Sequence, residues 1–102
     1  MDILIAYDIV TVSRKGARRL AQVAGVCERY GTRVQYSLFE CHVDSMMLER
    51  LKGELLDIIN PDEDRIDIYR LDRAASEVRI SLGHTTRERL GGAWIISSPN
   101  RQ

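Results

Sequence analysis

The residue best suited to metal-assisted chemistry is Asp8, which closes the first apolar run of the chain. Asp2 to Ile9 is apolar on both alternating sets, which predicts a strand covered on both faces or nearly so. The carboxylate is then expected at the carboxyl end of that strand. There it can hold a hard cation such as Mg2+, which keeps most of its waters. With a nearby phosphate-binding group, this arrangement could assist attack on a phosphodiester.

Basic residues that could hold the phosphate follow Asp8 closely and are predicted to share one face of a helix. They are Arg14, Lys15, Arg18 and Arg19. At about 100° per residue they span an arc of about 140°. The opposite face carries an apolar stripe made of Ala17, Leu20, Ala21, Ala24 and Cys27. The basic residues therefore form the expected outer face of the helix. They lie in its first turns, where the backbone N–H groups also favour anions.

Charge is distributed unevenly although the whole chain is neutral. Fifteen basic and fifteen acidic residues cancel, but residues 11–36 carry a net +5 and residues 40–72 a net −6. Such asymmetry indicates binding of a polyanion on one face. The simpler alternative is that Asp8 caps a turn and the basic face is only solvated. No His, Glu or Lys lies close to Asp8 in sequence to act as a general base, which weakens a purely enzymatic interpretation.

Other chemistries have little support. Cys27 and Cys41 are too few for a disulfide framework and are predicted to be buried, reduced thiols. His42 follows Cys41 directly, and strand neighbours point to opposite faces, so no zinc site is expected. The longest apolar run is far shorter than the roughly 20 residues that span a bilayer. With an N-terminus unlike a secretory signal, the chain is predicted to be cytoplasmic and without a membrane partner.

The elements that must position Asp8 can be placed by caps and periodicity. Thr11 or Ser13 is the predicted N-cap of the first helix, and Gly31 its C-cap. Residues 33–43 have strand composition and form either one bent strand or two strands joined tightly around residues 37–40. Asp44 or Ser45 is predicted to cap a second helix that ends at Asn60. Its apolar stripe comprises Leu48, Leu51, Leu55, Ile58 and Ile59.

The rest of the chain completes a predicted α+β, ferredoxin-like fold. Residues 62–64 form an acidic turn, residues 65–71 a half-covered strand, and Val78, Ile80 and Leu82 alternate weakly. The order βαββαβ gives an antiparallel sheet with two helices on one face, plus a short C-terminal strand. We expect one domain over residues 1–96 and a polar tail over 97–102. The uncovered sheet face and the small core favour a homodimer.

Several segments in register resemble a known family. The Tyr7-Asp8-Ile9 strand end, the basic stretch 14–19, the segment 31–41 and the segment 67–71 are similar to the CRISPR-associated endoribonuclease family. Its members are the smaller of the two universal proteins of CRISPR spacer acquisition. The resemblance covers about residues 1–71, and the Val-Gln-Ser-Phe-Glu pattern, present here as Val34-Gln35-Tyr36-Ser37-Leu38-Phe39-Glu40, is its most specific part.

The resemblance implies a homodimer in which Asp8 meets Asp8 of the partner subunit and binds a shared divalent cation, Mg2+ or another. Members are metal-dependent ribonucleases or deoxyribonucleases, so duplex DNA and single-stranded RNA are both candidate ligands. The dimer is also expected to bridge dimers of the CRISPR integrase. The alternative is a non-catalytic ferredoxin-like regulatory or nucleic-acid-binding module.

The C-terminal apolar block is predicted to make a partner contact. Trp94, Ile95 and Ile96 follow a Gly91-Gly92 pair that lets the chain swing away from its own sheet. Aromatic and β-branched residues suit addition to a sheet edge. We expect residues 93–96 to add to the sheet of the partner subunit, leaving the residues after Pro99 for the integrase.

Overall fold

The computed structural model describes residues 1–71, 79–84, 88–90 and 93–95, which form seven strands and two helices. In chain order they are β1 Asp2–Asp8, α1 Arg14–Tyr30, β2 Gly31–Gln35, β3 Leu38–His42, α2 Ser45–Ile58, β4 Arg65–Arg70, β5 Arg79–Gly83, β6 Glu88–Leu90 and β7 Ala93–Ile95. Residues 97–102, predicted as a polar tail, and Ile96 lie outside the described residues.

The main sheet has the strand order of a ferredoxin-like fold. Its order is β2-β3-β1-β4-β5, and every recorded pairing is antiparallel. β1 lies at the centre, with Ile5 opposite Phe39 on β3 and Ile68 on β4. β5 extends the four-stranded unit beyond β4. The predicted fold class is confirmed.

Alternation along β1 determines which side chains reach the core. Ile3, Ile5 and Tyr7 are buried, whereas Leu4 and Asp8 on the other set are half-buried. Phe39, Cys41, Ile66 and Ile68 on the neighbouring strands join the first set, together with the apolar faces of both helices. We call the face that carries Leu4 and Asp8, opposite this core, the open face. β1 therefore directs Asp8 away from the helices.

Helix α1 starts where predicted but is rotated relative to the prediction. Ser13 is the N-cap, and its Oγ accepts from the Gly16 N–H at 3.0 Å. The buried face is formed by Gly16, Val23, Val26 and Cys27. The stripe predicted from Ala17 to Cys27 is thus displaced by roughly a quarter turn, because Ala17 and Ala21 are exposed. A Cβ at Gly16 would lie 2.0 Å from the Val10 carbonyl oxygen, so this contact requires glycine.

The remaining predicted elements need smaller corrections. Residues 31–42 form two strands, joined at Tyr36-Ser37 and not around residues 37–40. Asp44 caps α2, and its predicted stripe is buried except for the half-buried Ile58. β4 was predicted to be half covered, but residues 65–68 are all buried. Among the described residues, no helix is long and apolar enough to cross a membrane.

The C-terminal strands differ in where they pair. Ile80 and Leu82 of β5 pack against the core from the edge of the main sheet. β6 and β7 pair with each other in a separate two-stranded sheet, with Trp94 opposite Arg89. The strand around Trp94 and Ile95 is confirmed, and it does not belong to the main sheet. Its addition to a partner subunit stays a prediction.

Candidate metal centre and nucleic-acid interface

Asp8 ends β1 on the open face, where its neighbour on β4 is Arg65. The two residues are register partners, so their side chains emerge on the same face of the sheet. Asp8 is half-buried and its Oδ1 atom is inaccessible to solvent. Arg65 is 4% exposed. The carboxylate therefore lies at a strand end, in surroundings of restricted solvent access.

Arg65 belongs to a polar cluster on the same face, in which Arg65 and Asp67 are buried and Ser81 is exposed. Its Nε donates to both carboxylate oxygens of Asp67, at 3.2 and 3.1 Å, and its Nη2 donates to Ser81 Oγ at 3.2 Å. Ser81 Oγ in turn donates to Asp67 Oδ1. Asp67 thus balances the positive charge of Arg65. The pair therefore adds no net charge beside Asp8.

The donor chemistry at Asp8 suits a hard divalent cation only in part. A carboxylate oxygen is the ligand type that Mg2+ prefers, and one or two carboxylates with waters are enough. Within the described residues, no three His, Cys, Asp or Glu side chains gather into a metal-binding group. Asp8 is therefore not part of a three-ligand group within the part of one subunit that the structure describes.

The basic face of α1 carries three of the four predicted residues. Arg14, Lys15 and Arg18 are exposed, and within the part of the chain that the structure describes no ion pair is recorded for them. The placement of Arg19 on this face is wrong. Its side chain is 15% exposed and bound to the acidic turn before β4. The exposed set, which we call the basic face, is Arg14, Lys15 and Arg18.

Arg19 turns inward because Asp64 is fully buried and needs donors. Arg19 Nε donates to Asp64 Oδ2 at 2.7 Å. The backbone N–H groups of Val10 and Asn60 donate to the two carboxylate oxygens at 3.1 and 2.9 Å. The pKa of Arg19 is raised above its usual value, chiefly by the hydrogen bond to Asp64. Asp64 thereby fastens the loop that follows Asp8 to α1 and to the end of α2.

A groove of about 220 Å3 lies beside the basic face, between α1 and the β2–β3 turn. It is lined by Tyr7, Ala17, Leu20, Ala21, Ala24, Arg33, Tyr36 and Ser37. The Tyr7 hydroxyl donates to the Tyr36 carbonyl at 3.3 Å. Burial raises the pKa of Tyr7, against the lowering effect of Arg33, so the hydroxyl keeps its proton at neutral pH. The Arg33 guanidinium lies 4.9 Å from the centre of the Phe39 ring.

Sequence reasoning missed Asp64, the Arg65–Asp67 pair and the groove. Asp64 was assigned only to an acidic turn, and nothing local shows which acid of such a turn is buried. The Arg65–Asp67 pair could have been found from sequence. Residues at positions i and i+2 of a strand lie on the same face, and opposite charges at such positions can pair. No sequence signal indicated the groove, because its shape depends on how α1 is rotated against the β2–β3 turn.

Comparison with known proteins gives a consistent family match. The family model described as CRISPR associated protein Cas2 matches residues 1–78. The chain is 51% identical over 71 residues to a CRISPR-associated endonuclease Cas2 of Halalkalibacterium halodurans, covering 70% of this chain and 74% of the relative. It is 46% identical over 77 residues to a CRISPR-associated endoribonuclease Cas2 1 of Moorella thermoacetica, covering 76% and 80%.

Solved structures agree with this match. The crystal structure of Streptococcus pyogenes Cas2 superposes with a TM-score of 0.66 at 41% identity, covering 70% of this chain and 86% of that one. A hypothetical protein of Thermus thermophilus superposes with a TM-score of 0.59 at 23% identity, covering 93% and 94%. The second likeness bears on the fold alone.

Proposed function

This chain belongs to the Cas2 family of CRISPR-associated proteins, and from that premise we propose that it is a dimeric CRISPR adaptation protein. In this proposal the dimer binds duplex DNA, bridges the CRISPR integrase during spacer acquisition, and carries a metal-dependent endonuclease site at Asp8. The curated relatives are named endonuclease or endoribonuclease Cas2, which supports the nuclease part.

The observation that carries the proposal is the arrangement at one end of the sheet. β1 ends at Asp8, and α1 begins only six residues later with the exposed Arg14 and Lys15. An anionic ligand for a cation and exposed cations for phosphates therefore lie at the same end of the molecule. A phosphodiester needs both, because negative charge accumulates on the phosphate as it is cleaved.

Each residue has a defined role in this proposal. Asp8 of each subunit would hold the divalent cation, Mg2+ or a similar ion, which when bound polarises the phosphodiester and acidifies a water molecule. The basic face neutralises neighbouring phosphates and orients the backbone without reading bases. Asp64 and Arg19 fix the loop between these groups, so that the carboxylate and the basic face keep their spacing.

The test is cleavage by the isostructural variant Asp8→Asn. We expect wild-type protein to cleave single-stranded RNA or duplex DNA in the presence of Mg2+ or Mn2+, and to stop when EDTA is added. Asp8→Asn should lose at least about 100-fold in rate while keeping its circular dichroism and melting temperature. Asp57→Asn is the matched control, because this exposed carboxylate lies on α2, away from the site. Equal rates in Asp8→Asn and wild type would refute the catalytic role.

A scaffold without catalysis is the second candidate function, and one observation favours it. The neighbour of Asp8 on β4 is Arg65, whose guanidinium offers only hydrogen-bond donors and cannot act as a general base. In this alternative the dimer bridges the integrase and binds DNA, and Asp8 is dispensable. Spacer acquisition that is normal with Asp8→Asn and lost when the basic face is neutralised would support the scaffold.

A further inference from the structure

The groove between α1 and the β2–β3 turn has the chemistry of a base-binding site. Carbon surfaces of α1 form one wall, and Arg33 and Ser37 contribute polar groups from the side of the β2–β3 turn. The Arg33 guanidinium also donates to the Tyr36 carbonyl and pairs with Glu28. Tyr36 stands at this rim with 84% of its surface exposed. A large aromatic side chain beside an apolar groove offers a stacking surface to a flat ring, and a guanidinium can bind the edge of that ring or stack on its face.

Charge at the groove is complementary to a nucleotide. On a helix with about 100° per residue, Arg14 projects about 20° from Ala21, and Arg18 about 60° from it. Both arginines belong to the exposed basic face, so the groove opens beside exposed positive charge. A base placed in the groove would have its own phosphate and the next one within reach of these guanidinium groups.

We infer that this groove binds an unpaired nucleotide of a DNA strand that continues from a duplex held on the basic face. The inference rests on the proposed DNA binding and adds to it a preference for the junction between paired and unpaired DNA. The base would leave the duplex stack and lie against Tyr36 and Ala21. Its phosphate would remain with Arg14 and Arg18, which also serve the duplex.

The position of the groove favours this occupant over a free nucleotide or a peptide. Arg14 and Arg18 border the groove on one side, and Lys15 continues the basic face further around the helix by about 100°. A strand crossing from Lys15 to the groove is therefore accompanied by cations along its path. An apolar peptide would fill the groove without using them.

The test compares a blunt DNA duplex with the same duplex carrying a short single-stranded overhang, by fluorescence polarisation of the full-length protein. We expect wild type to bind the overhang duplex about tenfold more tightly, the size of effect that one stacked base gives. Tyr36→Ala and Ala21→Leu should remove this difference and leave blunt-duplex affinity unchanged. Tyr36→Phe should keep the difference, because the ring is retained.

Gln22→Leu is the matched control for Ala21→Leu, since position 22 is exposed on the same helix and does not line the groove. Equal affinity of wild type for the two duplexes would overturn the inference and leave the proposed duplex binding intact. Absence of binding to either duplex would overturn both. An overhang preference that survives Tyr36→Ala and Ala21→Leu would place the unpaired nucleotide elsewhere and overturn the inference. If an RNA overhang increased the affinity more than a DNA overhang does, the inferred occupant would be an RNA nucleotide and the assignment to DNA would be overturned.

Discussion

Asp8 and Asp64 are the same residue type in different surroundings. Asp64 is fully buried and accepts hydrogen bonds from Arg19 and from two backbone N–H groups, which occupies its oxygens with protein donors. Asp8 is half-buried at a strand end on the open face. A buried carboxylate whose oxygens accept from protein donors stabilises the fold, and in the proposed function the half-buried carboxylate of Asp8 serves a cation.

Asp64→Asn should destabilise the protein by about 3 kcal/mol, because it removes the buried negative charge that Arg19 contacts at 2.7 Å and turns an amide NH2 toward N–H donors. The measurement is urea unfolding followed by circular dichroism. Glu63→Gln is the control: Glu63 also binds Arg19, but 47% of its side chain is exposed. Loss of this exposed ion pair should cost less than about 1 kcal/mol. Equal losses in the two variants would contradict the assignment of Asp64 as the residue that fastens the loop.

The two cysteines should be nearly unreactive in the folded protein. Burial raises the pKa of Cys27 to about 12 and that of Cys41 to about 11, so both stay protonated at pH 8. Labelling with a thiol-specific disulfide reagent at pH 8 should be slow in buffer and complete at once in urea. Rapid labelling of both thiols in buffer would contradict their burial.

The same shifts predict an alkaline loss of stability. Both pKa values lie above the ordinary thiol value of 9.0, so the fold favours the neutral form. The resulting stabilisation is fully present below pH 9 and is lost as the pH rises toward 11 and 12. Unfolding free energy should therefore fall across this range, and less so in a Cys27→Ala, Cys41→Ala variant. If the free energy of unfolding fell equally in that variant, the alkaline loss of stability would come from groups other than the two thiols.

At the scale of the element, α1 has two surfaces with different roles. Of the stripe predicted to be buried, Cys27 lies in the core and Leu20 and Ala24 pack against it. Ala17 and Ala21 are exposed and line the groove, while Val23 and Val26 enter the core. Alanine counts as apolar in a periodicity argument but gains little from burial, so the larger valines decide the rotation of the helix. Gly16, which has no apolar side chain to signal burial, makes the closest approach to the loop after Asp8.

Replacing Arg14, Lys15 and Arg18 by Ala should weaken binding to unrelated duplexes by similar factors. The slope of log K against log salt should decrease by about 2 to 3, since each lost phosphate contact removes about 0.9. Salt-dependent fluorescence polarisation measures both effects. A variant with Arg29, Arg50 and Lys52 replaced by Ala has the same net charge and serves as the control. An unchanged slope in the first variant would place the DNA site elsewhere.

At the scale of the whole molecule, the fold could be predicted largely from sequence and the site only partly. The N-caps at Ser13 and Asp44, the apolar stripe of α2 and the order of elements over residues 1–71 could be predicted from local sequence signals. The inward turn of Arg19 and the burial of residues 65–68 could not, because both depend on which elements meet in three dimensions. The placement of Asp8 at a strand end needed only the first strand.

The apolar residues of the open face favour a dimer. It carries the half-buried Leu4, Ala6 and Leu38 around Asp8, and a two-fold axis through this face would bury each patch against its copy. We expect sedimentation equilibrium to give a dimer at micromolar concentration. Leu4→Glu should shift it toward monomer, because two buried charges would then face each other. Wild type that sediments as a monomer would contradict the proposed assembly.

The most direct test of the central claim, that two copies of Asp8 form one cation site, is the stoichiometry of Mn2+ binding by titration calorimetry of the dimer. We expect one ion per dimer in wild type and in Asp57→Asn, and none at that site in Asp8→Asn. Because the proposed site takes one Asp8 from each subunit, binding should require both subunits. One ion per subunit, or undiminished binding by Asp8→Asn, would contradict the account.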